Sequence, residues 1–455
     1  MRKILKTVLS GAVAIAVAQA GFAKVDSNEA AKLGNELTPL GAEKAGNAAG
    51  TIPAWDGGIT KPPAGYKVGD HHPDPFPGDK VLFTITAANA SEYEEQLSPG
   101  IMALFKAYPE TFKMPVYQSR RTASYPQYVY DATKANASRT ELVEGGNGLK
   151  NAAIGTPFPI PQNGVEAIWN HIVRYRGVTV TRDTGQVTPT RDGDYTLVKF
   201  RDELDQLYTR EGMTPAELEA GNMLFYFKQW VLSPSRLVGT ALLVHETLDQ
   251  IKKPRQAWTY NTGQRRVRRA PNVAFDAPGT ASDGLRTTDD FDTFNGAPVR
   301  YNWKLLGKKE MYIPYNTYKL HSDQLKYDDI VKPGHINSDY TRYELHRVWV
   351  VEATLKEDTR HLYKKRVFFI DEDSWQIAVT DIYDNSDELW RVGMAHAVNY
   401  YEVPTLWSTL DVIHDLKAGR YIAIGLDNED TMYDFTVKRR ASDFSPSALR
   451  RAGRR

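Results

Sequence analysis

The chain has 455 residues, with 57 Lys plus Arg against 56 Asp plus Glu and no cysteine. This near balance of charge gives no indication of a surface for nucleic acid or for an anionic membrane. Without cysteine the chain can form no disulfide, no thiolate nucleophile and no cysteine-ligated zinc site, and it cannot carry a lipid anchor on an amino-terminal cysteine. A chain of this length buries enough surface to be stabilised by its core alone.

Residues 1–23 have the pattern of a cleavable secretory signal peptide. Three basic residues occur in the first six positions, the apolar run VLSGAVAIAVA follows, and small residues precede two candidate cleavage sites, after Ala20 and after Ala23. The apolar run is too short for a membrane-spanning helix, which needs about 20 apolar residues, and no later stretch reaches that length. We therefore expect a soluble protein of the periplasm, either free or peripheral to the outer membrane.

Residues 24–160 are predicted to form an irregular and helical region that packs on the domain following it. The first part, 24–90, is rich in Gly, Pro, Asp and Ala, which favours an ordered coat without a regular period. Two helices are predicted next, one that begins at Ser91 and one that Ser98 caps with Pro99 at its first position.

Residues 161–437 are predicted to form a sheet domain. A helix is expected over 164–175, where apolar residues recur at helical spacing. From Gly177 onward, short runs with a period of two are separated by Gly, Pro, Asn and Asp, as in antiparallel strands joined by tight turns. In the strand predicted from Tyr343 to Leu355, alternate positions are mostly apolar, so one face should be dry. The predicted fold class is α+β, with an antiparallel sheet in the second half.

The sequence offers little support for catalysis. It contains no nucleophile elbow, HExxH helix, phosphate-binding loop or dinucleotide fingerprint. His71, His72 and Asp74 could supply metal ligands, but side chains that are adjacent in an extended loop point apart. His171 is interpreted as a core histidine, although a hydrolase would use it with a nearby serine and carboxylate. The acidic run at 371–373 is interpreted as a turn whose carboxylates bond their own backbone. We predict no catalytic residue, no metal and no cofactor.

The segment WTYNTGQRRVRRA carries four arginines shortly after a Trp-x-Tyr strand. The arginines are Arg265, Arg266, Arg268 and Arg269. Alternation along a strand sends two of them to each face, so some should meet acidic partners. Two interpretations remain open: pairing with carboxylates such as Glu352 or Asp381, or an arginine rim for an anionic head group or a partner protein. The basic tail at 438–455 is expected to be solvated and frayed.

Five long segments carry a family resemblance. They are ELTPLGAEKAGNAAGTIPAWDGG at 36–58, HHPDPF with LFTIT within 71–86, FPIPQNGVEAIWNHIVRYRG at 158–177, QAWTYNTGQRRVRRAP at 256–271 and LLGKKEMYIPYN at 305–316. Through them the chain resembles the envelope family named domain of unknown function 1329 (DUF1329). In its second half that family is similar to Lol-type carriers of outer-membrane lipoproteins, which implies a curved, unclosed antiparallel β-barrel plugged by helices. Small carriers lack the region 24–160. The resemblance also implies company with an outer-membrane protein and a resistance-nodulation-division (RND) type permease.

These expectations favour a non-catalytic periplasmic carrier or adaptor that shelters a lipid or another hydrophobic ligand inside the half-barrel. Its ligand-binding residues are predicted among the aromatic side chains and the arginines near the rim. The predicted set is Trp169, Trp258, Tyr260, Arg265, Arg266, Arg268, Arg269 and Trp349. The alternative is a structural or interaction protein that carries no ligand and docks to an envelope transporter through its amino-terminal arm.

Overall fold

The computed structural model describes residues 25–453, apart from the side chains at positions 272 and 274. The signal peptide predicted for residues 1–23 lies outside the described residues. Within 25–453, no helix is both long enough and apolar enough to cross a membrane.

The α-helices of the described chain are short. They are α1 (Ser27–Ala31), α2 (Pro99–Ala107), α3 (Gln127–Arg139), α4 (Gly164–Val173), α5 (Pro215–Gly221), α6 (Tyr327–Ile330) and α7 (Pro446–Ala452). Short 3-10 helices occur at Ala90–Gln96, Glu144–Gly146, Pro271–Ala274, Thr288–Asp290, Pro298–Arg300, Ser338–Tyr340 and Ala441–Phe444. Helix α4 confirms the helix expected over 164–175. Ser98 caps α2 as predicted, because its side chain accepts a hydrogen bond from the Ile101 N–H.

Strands supply most of the regular structure. They are β1 (Phe83–Ile85), β2 (Met114–Tyr117), β3 (Glu141–Leu142), β4 (Leu149–Lys150), β5 (Thr179–Val187), β6 (Val198–Gln206), β7 (Phe225–Ser233), β8 (Ala241–Glu246), β9 (Gln256–Asn261), β10 (Arg266–Arg269), β11 (Tyr301–Pro314), β12 (Tyr343–Leu355), β13 (Lys365–Asp371), β14 (Ile377–Tyr383), β15 (Leu389–Tyr400), β16 (Thr405–Asp415) and β17 (Arg420–Leu426). The period-two runs predicted as strands lie within 178–200, 222–234, 236–248, 256–270, 343–357, 363–384 and 389–403. Strands β11, β16 and β17 lie outside these runs, as do β1 to β4.

Fifteen of the strands form one open sheet, while β3 and β4 pair separately. The order is β1-β2-β12-β13-β14-β15-β16-β17-β5-β6-β7-β8-β9-β10, and β11 lies beside β12. Neighbours are antiparallel except β2 with β12, and within the described residues β10 does not pair with β11. The predicted fold class, a largely antiparallel and unclosed sheet with few helices, is therefore confirmed. In β11 the register shifts at Gly307, whose φ of 112° suits glycine at a bulge.

Chain segments cover the sheet on both faces. On one face Ser98 and Gly100 of α2 donate hydrogen bonds of 2.8 and 3.0 Å to Asp381 of β14. On the opposite face Arg366 of β13 donates a 2.9 Å bond to Asp289, which lies in the β10–β11 connection. We call the face covered by that connection, residues 270–300, the inner face, and the other the outer face.

The predicted dry face of β12 is confirmed, and its second face is also buried where the strand begins. Val351 and Ala353 are fully buried on the inner face. Glu344 and His346, which face outward, are buried as well. The reason is that the amino-terminal region lies over them, with the Arg120 N–H donating a 2.6 Å bond to the Glu344 carboxylate.

The prediction that the carboxylates at 371–373, in the turn between β13 and β14, bond their own backbone is wrong. Asp373 accepts two bonds from Arg121 of the amino-terminal region, and Glu372 accepts a 2.7 Å bond from Lys308 of β11. Asp371 accepts a 2.5 Å bond from Ser374. Asp373 and Glu372 therefore hold distant segments against the turn, because a buried carboxylate needs a charged or hydrogen-bonding partner to offset its lost hydration.

The carboxyl-terminal segment also departs from expectation, since it packs on the sheet. Phe444 and Leu449 are fully buried against β8 and β9, and the Phe444 ring stacks on Tyr226 of β7 at 5.4 Å between centroids. Lys228 of β7 donates a 3.0 Å bond to the Asp443 carbonyl. The apolar side chains of this basic segment, which composition alone conceals, explain why the tail is not frayed.

Candidate ligand-binding cavity

A cavity lies between the inner face of the sheet and the β10–β11 connection. It has about 800 Å³ of empty space, including the part that opens to solvent. Its apolar walls come from Val180, Leu204, Phe225, Phe227, Leu242, Val244, Val273, Phe291 and Trp407. We call it the inner cavity. The room inside it for the centre of a water-sized sphere is about 70 Å³, so the inner cavity is a narrow slot between side chains.

Alternation along the strands decides which side chains reach the inner cavity. On β7, Phe225 and Phe227 line the cavity, whereas the intervening Tyr226 packs under the carboxyl-terminal segment. On β8, Val244 lines the cavity and its neighbour Leu243 lies under α7. Successive side chains of a strand point to opposite faces, so one set of apolar residues forms the cavity wall and the other forms a separate core.

The cover of the inner cavity is an irregular segment instead of the predicted plugging helix. The helices within residues 270–300 are short 3-10 helices. A hydrogen bond inside this segment joins the Thr288 hydroxyl, as donor, to the Phe275 carbonyl at 2.6 Å. Helix α4 plugs a neighbouring part of the fold, where His171 contacts the Asp292 carbonyl at 2.9 Å. His171 is fully buried, and this burial lowers its pKa to about 3, so it is a core histidine as predicted.

Three of the four arginines that line the inner cavity have carboxylate partners. Arg176 pairs with Asp292, Arg255 pairs with Glu246, and Arg182 donates a 3.0 Å bond to Asp202. Asp292 also binds Arg174, so each of these three guanidinium groups already has a carboxylate partner inside the protein.

The fourth arginine, Arg286, has no carboxylate partner. Its side chain is buried, and among the described residues its guanidinium makes one hydrogen bond, from Nη1 to the Thr287 carbonyl at 3.2 Å. Its Nε is buried without a partner, and burial lowers the pKa of this guanidinium. The guanidinium lies directly against Gly279, where a Cβ atom would come within 2.6 Å of Cζ.

A smaller polar recess adjoins the inner cavity and shares Arg286 with it. Asp202 and Asp411 lie in this recess. Burial, and then the charge of Asp292, raise the pKa of Asp411 to about 7, and its Oδ1 has no partner among the described residues. The charge of Asp411 therefore changes near neutral pH beside the unpaired guanidinium.

A second opening lies at the gap in the sheet, between the β9–β10 edge and the start of β11. We call it the seam. It has about 1,200 Å³ of empty space, including open solvent, and Ala257, Phe275 and Val299 line it with the exposed Ile251. Arg255 lines both the seam and the inner cavity, so it separates the two spaces.

The structure places the predicted aromatic residues away from the inner cavity. Tyr260 is buried against α7, and Trp258 lies on the same outer face, with its ring 4.7 Å from that of His245. Trp169 is fully buried in α4 and donates a bond to the Gly146 carbonyl, while Trp349 stacks on Trp375. All four therefore contribute to packing between segments of the chain.

The four predicted arginines are exposed at the edge of the sheet. Arg265 lies in the β9–β10 turn with a φ of 52°, and the other three lie on β10. None has a carboxylate within 4 Å among the described residues, so the predicted pairing with Glu352 or Asp381 is wrong. The reason is that β10 is a short edge strand, far in the strand order from β12 and β14. Arg269 lines the seam and lies 5.6 Å from the Trp258 ring.

The histidines of the HHPD segment bond to separate partners. His71 contacts the Asp427 carbonyl at 3.1 Å, and Asp74 accepts a bond from the Phe76 N–H. His72 lies 2.8 Å from both His321 and Glu402. The segment therefore anchors the amino-terminal region on the sheet.

His346, Asp371 and Asp373 form the group in the described chain that best matches a metal site. Their ligand atoms lie within 4.8 Å of one another. Burial, and then the charge of Asp373, raise the pKa of Asp371 to about 7. Arg121 already binds both oxygens of Asp373, so a guanidinium supplies the positive charge that a metal ion would bring.

Comparisons with known proteins bear on the identity of the chain. A family model described as "Protein of unknown function (DUF1329)" matches residues 84–450. A Pseudomonas aeruginosa protein described as uncharacterized is 55% identical over 433 residues, which is 95% of each chain.

Two solved structures show partial similarity. One is a Vibrio parahaemolyticus domain whose description names outer membrane lipoprotein sorting; it is 14% identical, covers 63% of this chain and 98% of its own, and has a TM-score of 0.44. The other is a DUF1329 family protein from Desulfovibrio piger, 15% identical, covering 60% of this chain and 92% of its own with a TM-score of 0.41. Both TM-scores are below 0.5, so no function is transferred from them.

Proposed function

We propose that this chain, which belongs to the DUF1329 family of proteins of unknown function, is a non-catalytic periplasmic carrier of a lipid or another hydrophobic molecule. The observation that carries the proposal is the inner cavity, whose apolar walls enclose space that the chain's own side chains leave empty. A core that served stability alone would close such a space, because interiors pack to the density of organic crystals.

The expected affinity suits transient carriage. Burying about ten methylene groups at ~0.8 kcal/mol each contributes about 8 kcal/mol, which corresponds to micromolar binding. A ligand held this weakly can be passed to another protein without a large energetic barrier.

The seam supports a route by which such a ligand enters and leaves. Its lining includes the exposed aliphatic side chains of Ile251 and Val299. Arg255 stands between the seam and the inner cavity, held by Glu246 and by a 2.6 Å bond to Asn295 of the cover. Release of these contacts joins the two spaces.

For its partners in the envelope, we propose that the carrier acts with an outer-membrane protein and an RND-type permease, as the family resemblance implies. The exposed arginines of β10 support a contact with an acidic surface, since none has a carboxylate within 4 Å in the part of the chain that the structure describes. Chemical crosslinking of intact cells, with Arg266→Gln plus Arg268→Gln as the matched variant, tests the contact; an unchanged crosslink pattern contradicts it.

The carrier proposal is tested by native mass spectrometry and lipid extraction of the mature protein, purified from the periplasm without detergent. A co-purifying lipid or fatty-acid mass supports the proposal. Val244→Trp fills the inner cavity and should abolish uptake of a fluorescent fatty acid, whereas Glu357→Trp in the exposed turn after β12 should not. A clean apoprotein that also fails to take up the fatty acid contradicts the proposal.

The rival function is a docking protein that carries no ligand. Three exposed aliphatic side chains, Val68, Val81 and Leu82, lie in the amino-terminal region and favour contact with a partner. Replacing all three by serine should abolish capture of the transporter if this function is the correct one. Fatty-acid uptake should remain unchanged in that variant if the carrier proposal holds.

A further inference from the structure

We infer that the ligand of the inner cavity carries an anionic head group, a carboxylate or a phosphate, that binds Arg286. This inference rests on the proposed carrier function and adds the chemical class of the ligand: an amphiphile with an apolar tail and one negatively charged oxygen group.

Arg286 differs from the other arginines of the cavity in having no ion-pair partner among the described residues. Arg176, Arg182 and Arg255 each have a carboxylate partner, whereas Arg286 has none within 4 Å among the described residues. A buried and unpaired charge is costly to a folded protein, so such a group is normally retained where a partner arrives from outside.

The free N–H donors of Arg286 are placed to bind an anionic head group. Nε of Arg286 has no acceptor, and Nη1 alone is engaged, by the carbonyl of Thr287. The planar fork of a guanidinium matches a carboxylate or phosphate through two parallel hydrogen bonds. Arg286 lines both the inner cavity and the polar recess, so a head group bound there leaves its tail among Phe227, Leu242 and Val244.

The surrounding charges are compatible with an anion at this place. Asp202 is paired with Arg182, and Asp290 accepts bonds from the Tyr363 hydroxyl and the Thr287 N–H. Asp292 also lines the recess and pairs with Arg174 and Arg176, which leaves Asp411 as the remaining carboxylate there. It is protonated in about half of the molecules at neutral pH, since its pKa is about 7.

A substitution at Gly279 can displace the guanidinium of Arg286 without changing the charge of that side chain. A Cβ atom at this position would come within 2.6 Å of Cζ of Arg286, and the backbone of Gly279 does not have a positive φ. Gly279→Ala therefore displaces the end of the arginine side chain and keeps the backbone unstrained.

The experiment measures binding of three probes, palmitate, hexadecyl phosphate and hexadecanol, to the full mature chain by isothermal titration. We expect the wild type to bind at least one of the anionic probes at least tenfold more tightly than hexadecanol. The better of the two anionic probes identifies the head group. Arg286→Gln should weaken the favoured anionic probe at least tenfold and leave hexadecanol within about twofold, and Gly279→Ala should act in the same direction.

The outcomes separate the two proposals. If the wild type binds none of the probes, the carrier function fails and the inference fails with it. If the wild type binds hexadecanol as tightly as both anions, or if Arg286→Gln leaves the favoured anion unchanged, the head-group inference alone fails. Should Arg286→Gln not fold, as judged by circular dichroism, Gly279→Ala decides: an unchanged preference for the anion overturns the inference.

Discussion

Arg121 and Asp373 form a buried, two-point ion pair that joins the amino-terminal region to the sheet. Arg121 Nη2 donates to Asp373 Oδ1 at 2.7 Å, and Nε donates to Oδ2 at 2.9 Å. Both side chains are almost fully buried. Arg121 also donates a 2.7 Å bond to the Glu43 carbonyl, so one guanidinium holds two parts of the amino-terminal region at the β13–β14 turn.

Arg121→Met should destabilise the protein by about 3–5 kcal/mol, because it leaves the buried Asp373 carboxylate unpaired. Urea unfolding followed by circular dichroism measures the change. Lys364→Met is the matched control, since its pair with Asp387 is exposed and should contribute at most about 1 kcal/mol. Equal effects of the two substitutions would show that the buried pair has no special role.

His396→Leu should stabilise the protein. Both ring nitrogens of His396 are buried without a hydrogen-bond partner in residues 25–453, and this burial lowers the pKa of His396 to about 3. A gain of about 1–3 kcal/mol is expected at pH 7, because a buried unpaired N–H is removed. Between pH 6.5 and 3, His396 is protonated only in the unfolded state. The free energy of unfolding of the wild type therefore decreases as the pH is lowered through this window. The variant should therefore gain about 2 kcal/mol more at pH 5.

His171→Leu is the control for that measurement. The pKa of His171 is also lowered to about 3, but both ring nitrogens have partners: Nδ1 accepts a 3.2 Å bond from the Ile377 N–H, and Nε2 donates a 2.9 Å bond to the Asp292 carbonyl. Its replacement should reduce the same pH dependence and yet destabilise the protein at pH 7. A destabilised His396→Leu would refute the account of the unpaired ring.

Asp411→Asn should raise stability at high pH. The folded pKa of Asp411 is raised to about 7 from an ordinary value of 3.8, so the native state holds a proton that the unfolded state releases. Stability therefore falls as pH rises from about 4 to 7. The variant should lose this slope and exceed the wild type by at least about 1 kcal/mol at pH 8. Thermal unfolding from pH 5 to pH 8 tests this, and an unaltered slope would contradict it.

His72→Ala should loosen the amino-terminal region without unfolding the sheet. His72 links Glu402 to His321, which in turn lies 2.8 Å from Asp427. Hydrogen exchange within residues 60–80 should accelerate at least tenfold, since local openings follow the loss of local contacts. Burial lowers the pKa of His72 from 6.5, so in the wild type the same protection should weaken as pH falls below that value.

His71→Ala is the matched control, because among the described residues the His71 ring makes one hydrogen bond, to the Asp427 carbonyl, and otherwise only packs near the His321 ring. It should leave the exchange rates within a few-fold of the wild type. If hydrogen exchange within residues 60–80 accelerates to a similar extent in both variants, the protection of this segment depends on the segment as a whole and not on the contacts of His72.

Sequence patterns located much of the sheet and missed particular strands for a physical reason. β7, β8, β12 and α4 alternate or repeat clearly enough to be predicted. β16 does not alternate, because ten of its residues from Thr405 to Asp415 are buried and only Asp411 is half-buried. A strand covered on both faces needs no polar face, so its sequence lacks the period of two.

The inner cavity was less predictable than the sheet. Phe225 and Phe227 could be assigned to one face from their alternation in β7. Arg286 and Phe291 could not, because they lie in the irregular connection 270–300, where no repeat relates a residue to a direction. Composition likewise concealed that Phe444 and Leu449 bind the basic tail to the sheet.

The sequence by itself determined the family, the largely antiparallel sheet and the alternation of side chains along its strands. Only the tertiary structure decided which face of each strand borders the cavity and which faces α7. Alternation puts Trp258 and Tyr260 on the same face of β9 but does not determine whether a ligand or a helix covers that face. The carboxyl-terminal segment, which is distant from β9 in the sequence, covers it. Local periodicity is set by backbone geometry, whereas the covering of a face depends on long-range contacts that no short pattern contains.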